Sequence, residues 1–426
     1  MTQMDAVDQW KGQRWANFQK HLKFLCVSNS FQKNRWPGLS EWGSLNGFDD
    51  FVQACPLTCK TELEKDWENS PPHGTNQTCQ PDDYVRFSRT SGTTGKARVW
   101  MDTEEDWQWM VGNWKRILNA AGVKKADRCF FAFSFGPFLG FWTAYEAALQ
   151  AGCVCIPGGG QSSEARLEAI LGQKVECLFC TPTYALRLIE TAKDHQISLL
   201  NHSLKKIIVA GECGGSSLEV RKVIDLAWGG KSLFFDHYGM TEVGPVAYEI
   251  PGGQGGLRIL LDSYHPEVVG LDTTNAVGEG ELGELVLTPL GRTGTPVLRY
   301  RTGDLVRASE GVDELGFPTF DLVGGILGRV DDMVVIRGIN LYPSAVDGLV
   351  RAFPEVSEYQ VIVSQSRGMK EVRMRAECDP MVATAVEAAM HTEFSLRVPV
   401  EPLPKDSLPR SEMKARRWVH QGAELK

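Results

Sequence analysis

Between Arg128 and Phe235 short uninterrupted apolar runs alternate with longer amphipathic ones, and this rhythm limits the possible folds more than any other feature of the chain. The apolar runs are Arg128 to Ser134, Cys153 to Ile156, Cys177 to Cys180, Lys206 to Ala210 and Ser232 to Phe235. Helical patterns fill the intervals at Trp142 to Gln150, Ser162 to Leu171, Thr183 to Lys193 and Leu218 to Trp228. Short strands without a polar side are buried on both faces, so a β-α-β-α series of them predicts an α/β fold with a mostly parallel sheet covered by helices. Ligands of such sheets gather at the carboxyl ends of the strands.

The flanks read differently. Trp10 to Phe24 is helical in pattern and Asn34 to Asn46 is rich in turn residues, which predicts a helical wrap over residues 1–80. Within it, Thr58 is expected to start a helix that includes Leu63. Thr103 to Ala121 opens on Thr-Glu-Glu-Asp, a good helix start by cap and by dipole. From Gly283 the texture turns β-rich, at Glu284 to Thr288, Val297 to Tyr300, Leu305 to Ala308 and Phe317 to Leu322. Beyond Gly328, helices at Ser344 to Phe353 and Val382 to Phe394 alternate with strands at Glu358 to Ser364 and Glu371 to Glu377. At 426 residues the chain is long for one core. The expected division is an N-terminal domain over 1–327 (wrap 1–80, α/β core 81–282, β-rich part 283–327) and a small mobile α+β C-terminal domain over 328–426. Gly324 to Arg337 is the expected linker.

Charge and cysteine usage narrow the partners. Lys and Arg number 45 against 53 Asp and Glu, a net charge of -8, so neither nucleic acid nor a membrane surface is indicated and small molecules are. Eleven cysteines in no regular framework, several inside apolar runs, suit a reducing cytoplasm. Cys153, Cys155, Cys177 and Cys180 can be drawn as a four-thiolate zinc site, but small buried core residues are the favoured reading. The start, Met-Thr-Gln-Met-Asp, has no apolar stretch of a signal peptide, and the most apolar run, Cys129 to Leu149, is broken by Gly136-Pro137 and Glu146.

The stretch Phe87 to Val99 carries the first chemical signal. Ser91, Gly92, Thr93, Thr94, Gly95 and Lys96 crowd hydroxyls and free backbone N–H groups beside one positive charge, as a phosphate cradle requires. Gly92 and Gly95 are too close for a Walker A loop. A solvated Ser/Thr/Gly turn has the same composition, and other parts of the chain must decide.

Four further signatures stand at strand ends: Val209-Ala210-Gly211-Glu212, His237 to Glu242, Tyr300 to Asp304, and Gly328 to Asp332 followed by Arg337 to Asn340. With the loop, they resemble the adenylate-forming (acyl-activating) enzyme superfamily. The Tyr264-His265-Pro266-Glu267-Val268 turn, the run Val335 to Ser344 and Leu408-Pro409-Arg410-Ser411-Glu412-Met413-Lys414 are similar to the phenylacetate–CoA ligase branch. The resemblance spans about Pro56 to Arg417.

That resemblance implies an enzyme that joins a carboxylic acid to ATP, giving an acyl-adenylate and pyrophosphate, and then passes the acyl group to coenzyme A. A carrier-protein phosphopantetheine as acceptor is a variant of the same scheme, and a non-catalytic nucleotide-binding module is a more distant one. It further implies that Ser91 to Lys96 hold the β- and γ-phosphates, that Thr241 donates to the α-phosphate and that Glu242 holds Mg²⁺, a hard cation that prefers oxygen donors. Tyr238, next to Gly239, offers a flat face for adenine; Asp304 takes the ribose hydroxyls with Arg329 in support; Lys414 bridges the acid carboxylate and the α-phosphate; Asp331 is the hinge. Gly211, Glu212, Tyr184 and His237 line acyl and adenine walls. Phe133, Phe135, Phe138, Trp142, Tyr145 and Met240 are an aromatic set suited to an aryl or arylacetic acid, although core packing is the ordinary role of such residues. Asp304 also reads as a turn cap, Asp331-Asp332 as a solvated helix start, and Lys414 as one surface charge among Arg410, Arg416 and Arg417. Arg98 adds a charge near the phosphates. Glu249 to Arg258 has neither the Cys nor the His that suit a structural metal in some relatives, so no zinc is expected there. A homodimer is a further implication of the family.

Overall fold

The computed structural model describes residues 3–410 and 417–421, except 91–97, 213–214, 216, 231–232, 251, 253–254, 272, 337–338 and 367–368. The expected loop ligands Ser91 to Lys96, and Lys414, therefore lie outside the described residues.

The wrap is helical: α1 (Gln3–Ser28), α2 (Ser30–Arg35), α3 (Phe48–Ala54) and α4 (Lys60–Asn69). Phe18, Leu22, Leu25, Trp36 and Phe51 pack with Leu290 and Leu298, so the wrap is fastened to the β-rich part. The start of α4 departs from expectation. Its N-cap is Cys59, because the fully buried Thr58 is taken up by the sheet. Its N–H donates to Arg299 O at 2.9 Å, its carbonyl accepts from Arg301 N at 3.0 Å and its hydroxyl donates to Leu298 O.

A hairpin of β1 (Tyr84–Arg89) and β2 (Val99–Thr103) frames residues 91–97. It runs into α5 (Glu104–Ala120), where Thr103 Oγ1 accepts from Asp106 N and the Asp106 carboxylate accepts from Thr103 N, both at 3.2 Å. This reciprocal cap is what the Thr-Glu-Glu-Asp start encodes.

The predicted alternation follows: β3 (Arg128–Phe131), α6 (Leu139–Gln150), β4 (Val154–Pro157), α7 (Ser163–Gly172), β5 (Cys177–Cys180), α8 (Pro182–Asp194), β6 (Lys206–Val209), α9 (Leu218–Ala227) and β7 (Phe234–Met240). These strands lie parallel in the order β4-β3-β5-β6-β7. The sheet then continues with antiparallel strands: β8 (Gly244–Glu249), β9 (Leu257–Ile259), β10 (Tyr264–Val269), β11 (Leu282–Pro289), β12 (Tyr300–Val312), β13 (Pro318–Leu322) and β14 (Gly328–Arg329). Its full order is β10-β11-β12-β13-β9-β8-β7-β6-β5-β3-β4, with β14 on β12. Antiparallel pairing thus begins at Gly244, ahead of the change of texture at Gly283. Tyr264 to Val268, expected as a turn, is a strand at the sheet's edge, where Pro266 is tolerated because no inner neighbour needs its missing N–H.

The alternation of β5 explains its cysteines. Cys177 and Phe179 face the core beneath α5 and α6, whereas Leu178 and Cys180 face the core beneath α7, α8 and α9. The two thiols diverge, so the four-thiolate drawing does not close.

The C-terminal residues form β15 (Val334–Ile336), β16 (Ile339–Leu341), α10 (Pro343–Arg351), β17 (Tyr359–Ser366), β18 (Met369–Glu377), α11 (Pro380–Phe394), β19 (Val400–Leu403) and β20 (Trp418–Gln421). A sheet of order β19-β18-β17-β20 buries its own core of Val346, Val350, Tyr359, Val361, Met374 and Val386. Among the described residues no helix is long and apolar enough to cross a membrane.

Candidate active site

The site starts where β7 leaves the core. Phe234 to His237 are buried and Tyr238 to Met240 are half-exposed, so the strand delivers Tyr238 to the carboxyl edge of the parallel strands. There Tyr238 Oη donates to Asp304 Oδ2 at 2.6 Å, and Arg329 Nη1 donates to Asp304 Oδ1 at 2.9 Å. Asp304 is 4% exposed and is held on β12, paired with Arg329 on β14; its N–H donates to Thr302 Oγ1 at 3.0 Å. Gly303 has φ +77°, and a Cβ there would stand 2.8 Å from Arg329 Nη2, so glycine is what lets the guanidinium lie across the turn. Burial, and then Asp304, push the Tyr238 phenol well above its ordinary range. Burial works against the Arg329 charge, but Asp304, Tyr238 and the nearby Asp331 and Asp332 outweigh it. Asp331 Oδ2 is 3.7 Å from Arg329 Nη2.

Thr241 and Glu242 follow directly. The Thr241 carbonyl accepts from Arg292 Nη1 at 2.6 Å, and Arg292 is in turn paired with Asp102 at 2.6 Å, both side chains 0% exposed. Burial raises the pKa of Glu242 against the pull of Arg329, Lys60 and Arg292. A half-buried carboxylate under that strain suits an oxygen-seeking divalent cation, whose charge would restore the ionised form.

On the other side of the sheet edge, Gly211 turns with φ +96° and Glu212 Oε1 accepts from Thr183 N at 2.7 Å, at the start of α8. His237 is buried beneath Tyr238; its Nδ1–H donates to Ala247 O at 2.9 Å, its ring lies 4.2 Å from Trp114, and burial lowers its pKa to about 4, so it is neutral at neutral pH.

The aromatic residues separate into two groups. Tyr184 is fully buried, with its ring under the Arg166 guanidinium and its hydroxyl 3.0 Å from Ser163 Oγ; it belongs to the core under α7 and α8 and does not line a pocket. Phe133 is also core, stacked on Phe141 at 3.9 Å. They lie on opposite faces of the sheet, Phe133 in the core with α5 and α6 and Tyr184 in the core with α7 to α9. Phe135, Phe138, Trp142 and Tyr145 keep partial exposure around the start of α6, which packs against β7, with Phe135 4.8 Å from Trp142 and 5.2 Å from Tyr145. Met240 Sδ lies 3.6 Å from Tyr238 Oη.

The stem of the loop is closed by Thr90 and Arg98, whose backbones bond at 2.9 Å, and is fixed to the aromatic side by Arg89 N donating to Pro137 O. The Arg98 guanidinium pairs with Glu64 at 3.5 Å over the Trp67 ring.

Sequence reasoning missed Asp102 and Arg292. Neither sits in a periodic pattern, and only the Gly291-Arg292-Thr293-Gly294 turn beside an acidic strand end hinted at them. Removing one partner of a buried ion pair leaves an uncompensated charge, so Asp102→Ala is expected to cost ~3–5 kcal/mol in urea unfolding. The apolar pair D102L/R292M should recover most of that loss while still releasing the Thr241 carbonyl.

The chain is similar to known proteins over most of its length. The AMP-binding enzyme family model matches residues 46–289, and the AMP-binding enzyme C-terminal domain model matches 338–421. Phenylacetate-coenzyme A ligase of Pseudomonas putida is 31% identical over 76% of this chain and 74% of that one. The Thermus thermophilus phenylacetate-coenzyme A ligase is 33% identical over 78% and 73%. The fold overlays crystal structures of a 2-hydroxyisobutyryl-CoA ligase. With its postadenylation state in complex with 2-HIB-AMP, the TM-score is 0.89 at 24% identity, covering 97% of this chain and 90% of that one. With its thioesterfication state, in complex with 2-HIB-AMP and CoA, the TM-score is 0.71 at 25% identity, covering 99% and 90%.

Proposed function

Because the chain belongs to the AMP-binding enzyme family, we propose that it is an AMP-forming acid–CoA ligase: it activates a carboxylic acid with ATP to an acyl-adenylate and transfers the acyl group to coenzyme A, releasing AMP and pyrophosphate. A carboxylate is a poor electrophile, and the mixed anhydride with AMP makes its carbonyl attackable. Such chemistry needs positioning and charge neutralisation more than a protein nucleophile.

The observation that carries this reading is the Tyr238–Asp304–Arg329 assembly beside Glu242 at one sheet edge. The two oxygens of the Asp304 carboxylate match the spacing of a vicinal diol, and Tyr238 supplies a ring face for a purine. Glu242, with Thr241 before it, would hold Mg²⁺, which supplies positive charge to the phosphates. Ser91 to Lys96 and Lys414 complete the proposed phosphate and carboxylate contacts, and the residues beyond Asp331 turn about it as a unit, because β14 stays paired with β12 in the large sheet. The acid is aryl or arylacetic, on the partly exposed Phe135, Phe138, Trp142 and Tyr145. The enzyme works in the cytoplasm, in keeping with ten free cysteines among the described residues. Assembly as a homodimer and transfer to a carrier protein are finer readings that the gel-filtration mass and an acceptor panel decide.

The test is pyrophosphate release screened over aromatic and aliphatic acids, with and without CoA. Release with an arylacetic or benzoic acid, and thioester formation only when CoA is added, is expected. Absence of release with every acid would overturn the reading; release without thioester in the presence of CoA would shift it to a carrier-protein acceptor.

A further inference from the structure

We propose that Arg410 and Glu190 form a reversible latch that docks the C-terminal unit for adenylate formation, so that Glu190 is a positioning residue for the first half-reaction. The inference rests on the acid–CoA ligase reading. Arg410 uses both edges of its guanidinium. Toward its own unit, Nη1 and Nη2 donate to the two oxygens of Glu377 at 2.8 and 2.7 Å; toward α8, Nη2 donates to Glu190 Oε1 at 2.9 Å.

The two halves of this contact differ in kind. Glu377 is fully buried and also accepts from Leu408 N at 2.7 Å and Ser357 Oγ at 2.9 Å, so Arg410 is fixed to the C-terminal unit from several sides. Glu190 is partly exposed and is held on its own side by Arg187 Nη1 at 2.6 Å. When the units part, Arg410 keeps Glu377 and Glu190 keeps Arg187, while water replaces what is lost. Neither charge is stranded, which is the condition for a contact that opens as readily as it closes. Lys405 and Asp194, at 2.6 Å and largely exposed, add a weaker contact at the end of the same helix.

Position gives the latch its role. Glu190 lies seven residues beyond Thr183, whose N–H binds Glu212, and so sits roughly 10 Å along α8 from the site's edge. Arg410 precedes Lys414 by four residues, a reach of at most about 14 Å of chain. Docking Arg410 on Glu190 therefore anchors the segment that carries Lys414 within range of the site.

The experiment uses the full-length enzyme with Glu190→Gln and Glu190→Lys. Pyrophosphate release should fall roughly tenfold in the first variant and further in the second, while thioester formation from supplied acyl-adenylate and CoA stays within about twofold of the parent. Small-angle scattering should show a larger radius of gyration in both variants, a readout independent of activity. Equal loss in both half-reactions, no loss in either, or an unchanged radius of gyration would overturn the latch. A parent enzyme that releases no pyrophosphate while the variants still expand would instead refute the ligase reading, and with it the latch's role in adenylate formation, while the docking contact itself would be upheld.

Discussion

An Asp304→Ala enzyme should lose about 10²–10⁴ in kcat/KM for ATP, with most of the loss in KM, because two charge-assisted hydrogen bonds disappear together. Asp304 accepts from Tyr238 and from Arg329 at once, so its removal takes the carboxylate partner from both in one step. The Tyr238 hydroxyl would be left half-buried without this acceptor. Asp304→Asn keeps the size and one carbonyl acceptor but not the charge, and about 10–100-fold loss is expected. Steady-state pyrophosphate release against ATP concentration measures both. A KM for ATP within twofold of the parent in the alanine variant would refute the assignment, and a turn-capping role would show instead as a lowered melting temperature with an unchanged KM.

Acid should begin to destabilise the protein before its ordinary carboxylates are protonated. His21 and His237 are 4% and 6% exposed, and burial lowers each to about 4 from an ordinary 6.5. Between those values the unfolded chain binds more protons than the folded one, so stability is full above pH 6.5 and falls as the pH drops toward 4. At ~1.4 kcal/mol per pKa unit, the two rings together remove about 6 kcal/mol by pH 4, a large part of a typical domain's stability. Urea unfolding at a series of pH values checks this, and because burial also lowers His265, to about 3, His21→Phe should reduce the slope by about a third. A stability that stays level from pH 7 to pH 4.5 would show that neither ring is protonated on unfolding.

What the sequence disclosed, and what it hid, follows from the range of the interactions. The parallel strands were legible because burial on both faces leaves an unbroken apolar run, and α5 because its capping box is local in the chain. Tyr238, Thr241, Glu242, Asp304 and Arg329 were legible as motifs, and the structure brings Tyr238, Asp304 and Arg329 into contact. Tyr184 was misplaced because a tyrosine on an amphipathic helix looks the same whether its ring faces a ligand or the next strand; only the Arg166 ring contact decides. Thr58 was misread for a similar reason, since its partners stand some 240 residues away. The Asp102–Arg292 pair spans a comparable gap, 190 residues, and leaves no periodic trace.

Arg329 is the last residue of β14, and the strands of the smaller unit begin soon after it. The side chain that steadies the Asp304 carboxylate therefore sits at the root of the arm that bears the C-terminal sheet. On the proposed reading, a nucleotide held by Asp304 and a change in the posture of that arm would both act on the same guanidinium. By thermodynamic reciprocity, a ligand that prefers one posture is bound more tightly in it; affinity and orientation become two readings of a single lever.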